Sequence, residues 1–98
     1  MTLNENQKKH LRGLAHKLNP VVMVGQHGLK ETIFEEVEIA LDAHELIKIK
    51  VSVGDREERD AIIQEICTKS KATLIQRVGN IAILFRRNPK RPRIELGR

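Results

Sequence analysis

Between Leu46 and Val53 the chain alternates in character with a period of two. Ile47, Ile49, Val51 and Val53 fall on one side, and Lys48, Lys50 and Ser52 on the other. Only an extended strand places every second side chain on the same face, so this stretch predicts a strand with one core-facing side and one wet, basic side. The segments flanking it carry a different period. Asn4 to Lys17 has Leu3, Gln7, Leu11, Leu14, Ala15 and Leu18 at helical spacing, and Asn4 with Gln7 three residues on makes an amide capping box. Lys9, Arg12 and His16 share another face of that helix, with Lys8 beside them. A chain that switches between periods of two and 3.6 within 98 residues folds as one mixed α/β domain.

The remaining elements follow from similar signals. Asn19-Pro20 ends the first helix, and Val21-Val22-Met23-Val24, bounded by Pro20 and Gly25, predicts a strand buried on both faces. Gly25-Gln26-His27-Gly28 is a turn. From Leu29 or Lys30 to about His44 a second helix turns Ile33, Phe34, Val37, Ala40, Leu41 and His44 to one side and Glu31, Glu35, Glu36, Glu38 and Asp42 to the other. Asp55 and Glu58 cap a third helix to about Ser70, with Ile62, Ile63, Ile66 and Cys67 inward. Thr73–Val78 and Ile81–Arg86 are two strands joined by Gly79-Asn80, a two-residue hairpin turn. The order is an N-terminal helix followed by βαβαββ. Right-handed crossover makes the first two strands parallel, and the hairpin adds an antiparallel pair. The expected fold is a two-layer sandwich, a mixed four-stranded sheet with helices on one face. Residues 1–87 form the domain, and 88–98 are expected to be an extended, poorly packed Pro/Arg-rich tail.

Charge is segregated along this frame. The net charge is +5, yet residues 1–20 hold four basic residues against one acidic, residues 21–85 eight against eleven, and residues 86–98 six against one. Basic ends around an acidic middle point to a polyanionic partner, with nucleic acid the first candidate. Aromatics are only Phe34 and Phe85, both core-facing by periodicity, which counts against recognition by stacked bases. One cysteine excludes an internal disulfide and a multi-cysteine zinc site, and no apolar run approaches the length that crosses a bilayer. The polar opening is no signal peptide, so a soluble cytoplasmic protein is expected.

The turn at Gly25–Gly28 is the motif with the most chemistry in it. Two glycines let a phosphate approach the backbone, and amides at a following helix N-terminus face it with positive partial charge. Gln26 and His27 can donate hydrogen bonds, and Lys30 stands just beyond. The longer glycine spacing and the Lys-Ser/Thr ending of a nucleotide-binding P-loop are missing. The four histidines include no pair at metal-ligand spacing on one helix, so neither a metal nor any other cofactor is expected. His27 as an acid–base group of a small RNA-processing enzyme is a lesser alternative. Another is a protein-docking adaptor that uses the acidic second helix.

The run His10-Leu11-Arg12-Gly13-Leu14-Ala15-His16-Lys17-Leu18-Asn19-Pro20, the apolar strand after it, Gly25-Gln26-His27-Gly28-Leu29 and Leu46-Ile47-Lys48-Ile49-Lys50 together resemble the CRM family, the chloroplast RNA splicing and ribosome maturation domain. The whole chain is similar to its stand-alone bacterial, YhbY-like form. The resemblance implies a fold similar to the C-terminal domain of translation initiation factor three. It also implies RNA binding in large-subunit ribosomal precursors, with Gly25, Gln26, His27 and Gly28 as the contacting loop. The residues add the mode of contact: phosphate and 2′-hydroxyl recognition, with Lys8, Lys9, Arg12, His16, Lys30, Lys48, Lys50, Arg86 and Arg87 as the surrounding basic surface. Ribosomal RNA, some ribosomal proteins and no membrane are the expected partners of a non-enzymatic monomer.

Overall fold

A computed structural model describes residues 2–97; Met1 and Arg98 lie outside the described residues. The elements are α1 (Glu5–Ala15), β1 (Pro20–Val24), α2 (Glu31–His44), β2 (Leu46–Val51), α3 (Arg56–Ser70), β3 (Thr73–Val78) and β4 (Ile81–Phe85). The expected capping box closes α1: Asn4 Oδ1 accepts from the Gln7 amide at 2.8 Å, and Gln7 Oε1 accepts from the Asn4 amide at 3.0 Å. Asp55 caps α3 through the Glu58 amide at 2.9 Å. Each cap satisfies amides that the helix itself cannot, and contributes about 1 kcal/mol.

The strands order β1-β2-β4-β3, with β1 parallel to β2 and the other two pairings antiparallel. The pleat divides the apolar residues between two clusters. Ile47, Ile49 and Val51 of β2, with Ala82 and Leu84 of β4, face α2 and α3, where Val37, Leu41, Ile63 and Ile66 complete the main core. The two helices after the βα crossovers thus lie on one side of the mixed sheet. Leu46, Ile83 and Phe85 project the other way, where Leu3, Leu11 and Ala15 bring α1 across one end of that second face. Leu14 and Leu18 of the expected α1 stripe stay part-exposed and, with Val21 and Leu46, line a shallow apolar groove.

Two expectations are corrected. β1 is buried on one face only: Val22 and Val24 are in the core, but Val21 and Met23 are 52% and 64% exposed. An unbroken apolar run reads as doubly buried, yet β1 is an edge strand, and α1 does not extend over Met23. The segment after Arg87 is also not poorly packed. Ile94 and Leu96 rest against the second cluster, and Glu45 ties the chain down. Its carboxylate, fully buried, accepts from the amides of Asn88 (2.6 Å), Arg93 (2.6 Å) and Ile94 (2.9 Å) and from Arg87. Burial pushes the Glu45 carboxyl up, but the three amides and the Arg87 guanidinium outweigh it and hold it below the usual value. Glu45 occupies a left-handed φ of 63°, a conformation costly for a non-glycine residue and held here by that dense bonding.

Candidate nucleic-acid interface

The Gly25–Gly28 turn is set by its own backbone. The Gly28 amide donates to the Gly25 carbonyl at 3.0 Å, which places Gln26 and His27 at an exposed tip. Gly28 has φ +69°, where any side chain would be strained. Gly25 is different. Its φ is not in the left-handed region, and an added Cβ would meet nothing within 4 Å. The fold therefore makes no demand for glycine at Gly25, and the space beside its backbone is open to a ligand. Val24 anchors the turn by accepting from the Ser52 amide at 2.9 Å. Beyond the turn, Lys30 is the N-cap of α2, one position before the helix, and its side chain makes no capping bond. The Ile33 amide donates to the Lys30 carbonyl at 2.9 Å, while the Glu31 and Thr32 amides have no side-chain cap and keep their outward partial charge, beside the Glu31 carboxylate.

The cations divide into two sets. Lys48 and Lys50 project from β2 onto the sheet face that α1 partly covers, and both are half-buried. Lys9 and His16 are exposed on α1, Arg12 is half-buried, and Lys8 lies 3.9 Å from exposed Glu5, a pairing too wet to hold it. α1 enters β1 at Pro20, whereas the turn leaves β1 at Val24, so five residues, roughly 16 Å of strand, separate the helix end from the turn. Lys48 pairs across from Pro20 and Lys50 from Met23, which puts the two lysines between them. The arrangement is an elongated track and not a pocket.

Arg86 and Arg87 do not join it. Arg86 points to the α2–α3 side, donating to Glu38 at 2.8 Å, to Asp42 at 2.8 Å and to the Ser70 carbonyl at 2.8 Å. Arg87 reaches Glu45 at 3.3 Å and the Ile94 carbonyl at 2.8 Å. Their charge is spent on internal partners, so both leave the basic surface expected from the sequence. The acidic face of α2 is correspondingly reduced, since Glu38 and Asp42 are engaged while Glu35 and Glu36 stay exposed.

Other chemistry finds little support in the geometry. Burial pushes the Cys67 thiol up to about 11, leaving it protonated at neutral pH and a poor nucleophile. Among the described residues no three His, Cys, Asp or Glu side chains converge as metal ligands, and no helix is long and apolar enough to cross a membrane. His10 packs toward the C-terminal segment, with Nε2 3.0 Å from the Glu95 carbonyl oxygen.

Residues 3–86 match the model of the CRS1/YhbY (CRM) domain. The chain belongs to the CRM domain family. Its relatives include a Haemophilus influenzae protein named "RNA-binding protein", 51% identical over 87% of this chain and 86% of that one. A Pseudomonas aeruginosa protein named "Probable RNA-binding protein" is 41% identical over 92% of this chain and 86% of its own length. The solution structure of a hypothetical Staphylococcus aureus protein, described as a candidate for RNA binding, superposes with a TM-score of 0.82 at 26% identity, covering 98% of this chain and all of that one.

Sequence reasoning missed two structural features around the site. Met23 beside Lys50 on edge strand β1, and Val78 (62% exposed) on the opposite edge strand β3, carry nothing in their local pattern that marks them as exposed. Glu45, which holds Arg87 away from the surface, reads in sequence as one more acidic residue at a helix end.

Proposed function

We propose that this CRM domain is a non-enzymatic RNA-binding module. It grips the sugar–phosphate backbone of ribosomal RNA in large-subunit precursors, in the cytoplasm, during ribosome assembly. The observation that carries the reading is the exposed turn at Gly25, where neither φ nor packing explains the glycine, at the end of a strand flanked by Lys48 and Lys50. A phosphate can approach that backbone, receive hydrogen bonds from Gln26 and His27, and lie near Lys30 and the first amides of α2. Lys8, Lys9, Arg12, Lys48 and Lys50 continue the neutralisation along the track. Six lysines and arginines, counting Lys30, correspond to a log–log salt slope of roughly −4 on single-stranded RNA.

Gly25→Asp is the informative variant, because the site has room for the side chain and the backbone needs no left-handed φ. RNA affinity is expected to fall at least about tenfold, as a carboxylate placed against the phosphate costs 1.4 kcal/mol or more. Circular dichroism should show an unchanged fold. Unchanged affinity in the folded variant removes the turn from the mechanism. Crosslinking the protein to RNA in cells and sequencing the adducts tests the ribosomal assignment: adducts outside large-subunit precursors would refute it.

A further inference from the structure

The sheet face carrying Lys48 and Lys50 is only partly covered by α1. Its open end is built from one residue of each strand in register: Met23 pairs with Lys50, Lys50 with Ile81, and Ile81 with Val78. Met23 and Val78, at the two edges of this row, are 64% and 62% exposed, and Ile81 is half-buried between them. With strands about 4.8 Å apart, the row spans roughly 14 Å, enough for two or three bases laid side by side on a four-stranded sheet.

Three features select the occupant. The side chains that the strands direct to this face include two lysines and no carboxylate, so the complementary ligand is anionic. Met23 lies two residues before Gly25, so the β1 end of the row adjoins the start of the candidate phosphate-gripping turn. The platform is aliphatic and thioether, which suits flat ring faces without reading their edges, because methionine sulfur is polarizable and packs well against aromatic rings. An RNA strand held at the turn therefore runs onto a surface with apolar seats and a central cation. From this we infer that the CRM domain binds single-stranded RNA with its bases seated on the Met23–Ile81–Val78 platform and its phosphates toward Lys48 and Lys50. The inference rests on the RNA-binding reading above and deepens it: the substrate is unpaired RNA, and a duplex, with its bases stacked inward, cannot use the platform.

The test uses fluorescence anisotropy with the full chain and two labelled 12-nucleotide probes, a mixed-sequence single strand and an abasic ribose–phosphate strand of equal length. Wild-type protein is expected to bind the base-bearing strand roughly fivefold more tightly than the abasic one, from apolar surface covered by the bases. The double variant M23A/V78A should lose that margin while keeping wild-type affinity and salt slope on the abasic strand. Met23→Phe, which offers a ring in place of a thioether, should widen the margin. Equal wild-type affinity for both probes, or a double variant that still prefers the base-bearing strand, overturns the platform and leaves phosphate recognition standing. If neither probe binds wild-type protein with a steep salt dependence, RNA binding itself fails and the platform falls with it. Preferential binding of a 12-base-pair duplex over the single strand also overturns it.

Discussion

The two basic ends of the chain look equivalent as strings of lysine and arginine, and the fold uses them in opposite ways. On α1 and at its C-cap, Lys9 and His16 are exposed, and Arg12 is half-buried with no acidic partner among the described residues. At the other end, Arg86 bridges Glu38, Asp42 and the end of α3, and Arg87 joins the amides of residues 88, 93 and 94 around the Glu45 carboxylate. The first set is free to meet a polyanion, whereas Arg86 and Arg87 already have carboxylate partners within the fold; beyond them, Lys90, Arg91 and Arg93 are exposed. A charge count therefore predicts affinity for RNA only after the cations already paired within the molecule are removed from it.

The sharpest way to break this contrast is at Glu45. Glu45→Gln keeps the volume but turns an NH₂ group toward backbone amides that need an acceptor, so the C-terminal segment should detach. Urea denaturation is expected to show a loss of about 3 kcal/mol, the scale for removing one member of a buried charged network. The pH dependence has the same origin. Because the folded-state pKa of Glu45 is lowered, its stabilisation is fully present above the ordinary glutamate value of about 4.3 and is lost as pH falls through the lowered one. Protection of the Asn88, Arg93 and Ile94 amides against exchange, taken relative to their intrinsic rates at each pH, should fall in that acid range in wild type, and already at neutral pH in the variant.

Arg86→Ala comes next, with a smaller loss of about 1–2 kcal/mol, since Glu38 and Asp42 are substantially exposed and water compensates part of the broken pairing. Its RNA salt slope should match wild type; a slope reduced by about 0.7 would return Arg86 to the interface. The mirror-image experiment is K9A/R12A on α1. Stability should change by less than about 0.5 kcal/mol, while the salt slope should become shallower by about 1.4, the value for two lost phosphate contacts on single strands. A double variant that unfolds more easily but binds RNA as before would reverse the roles assigned to the two ends.

Much of the architecture was legible in the sequence because it rests on local physics. The alternation over Ile47–Val53 marked β2 with its core and lysine sides; Asn4 with Gln7, and Asp55 with Glu58, marked helix starts that the hydrogen bonds bear out. Gly79 at φ 61° turns the hairpin where the Gly-Asn pair placed it. The family resemblance was legible too, since it rides on contiguous motifs matched over residues 3–86. The exposure of Met23 was not, because an apolar residue in a short apolar run looks the same whether its outer face is covered or bare.

Sequence alone determined which segments are helix or strand, where α1 and α3 begin, and that a glycine turn stands between β1 and α2; each depends on neighbours within a few residues. Only the tertiary structure decided which charges remain available. That outcome depends on Glu38, Asp42 and Glu45 lying across from Arg86 and Arg87, more than 40 positions away along the chain. Pairing over such separations is set by the packing of whole elements, and no local pattern of residues encodes it.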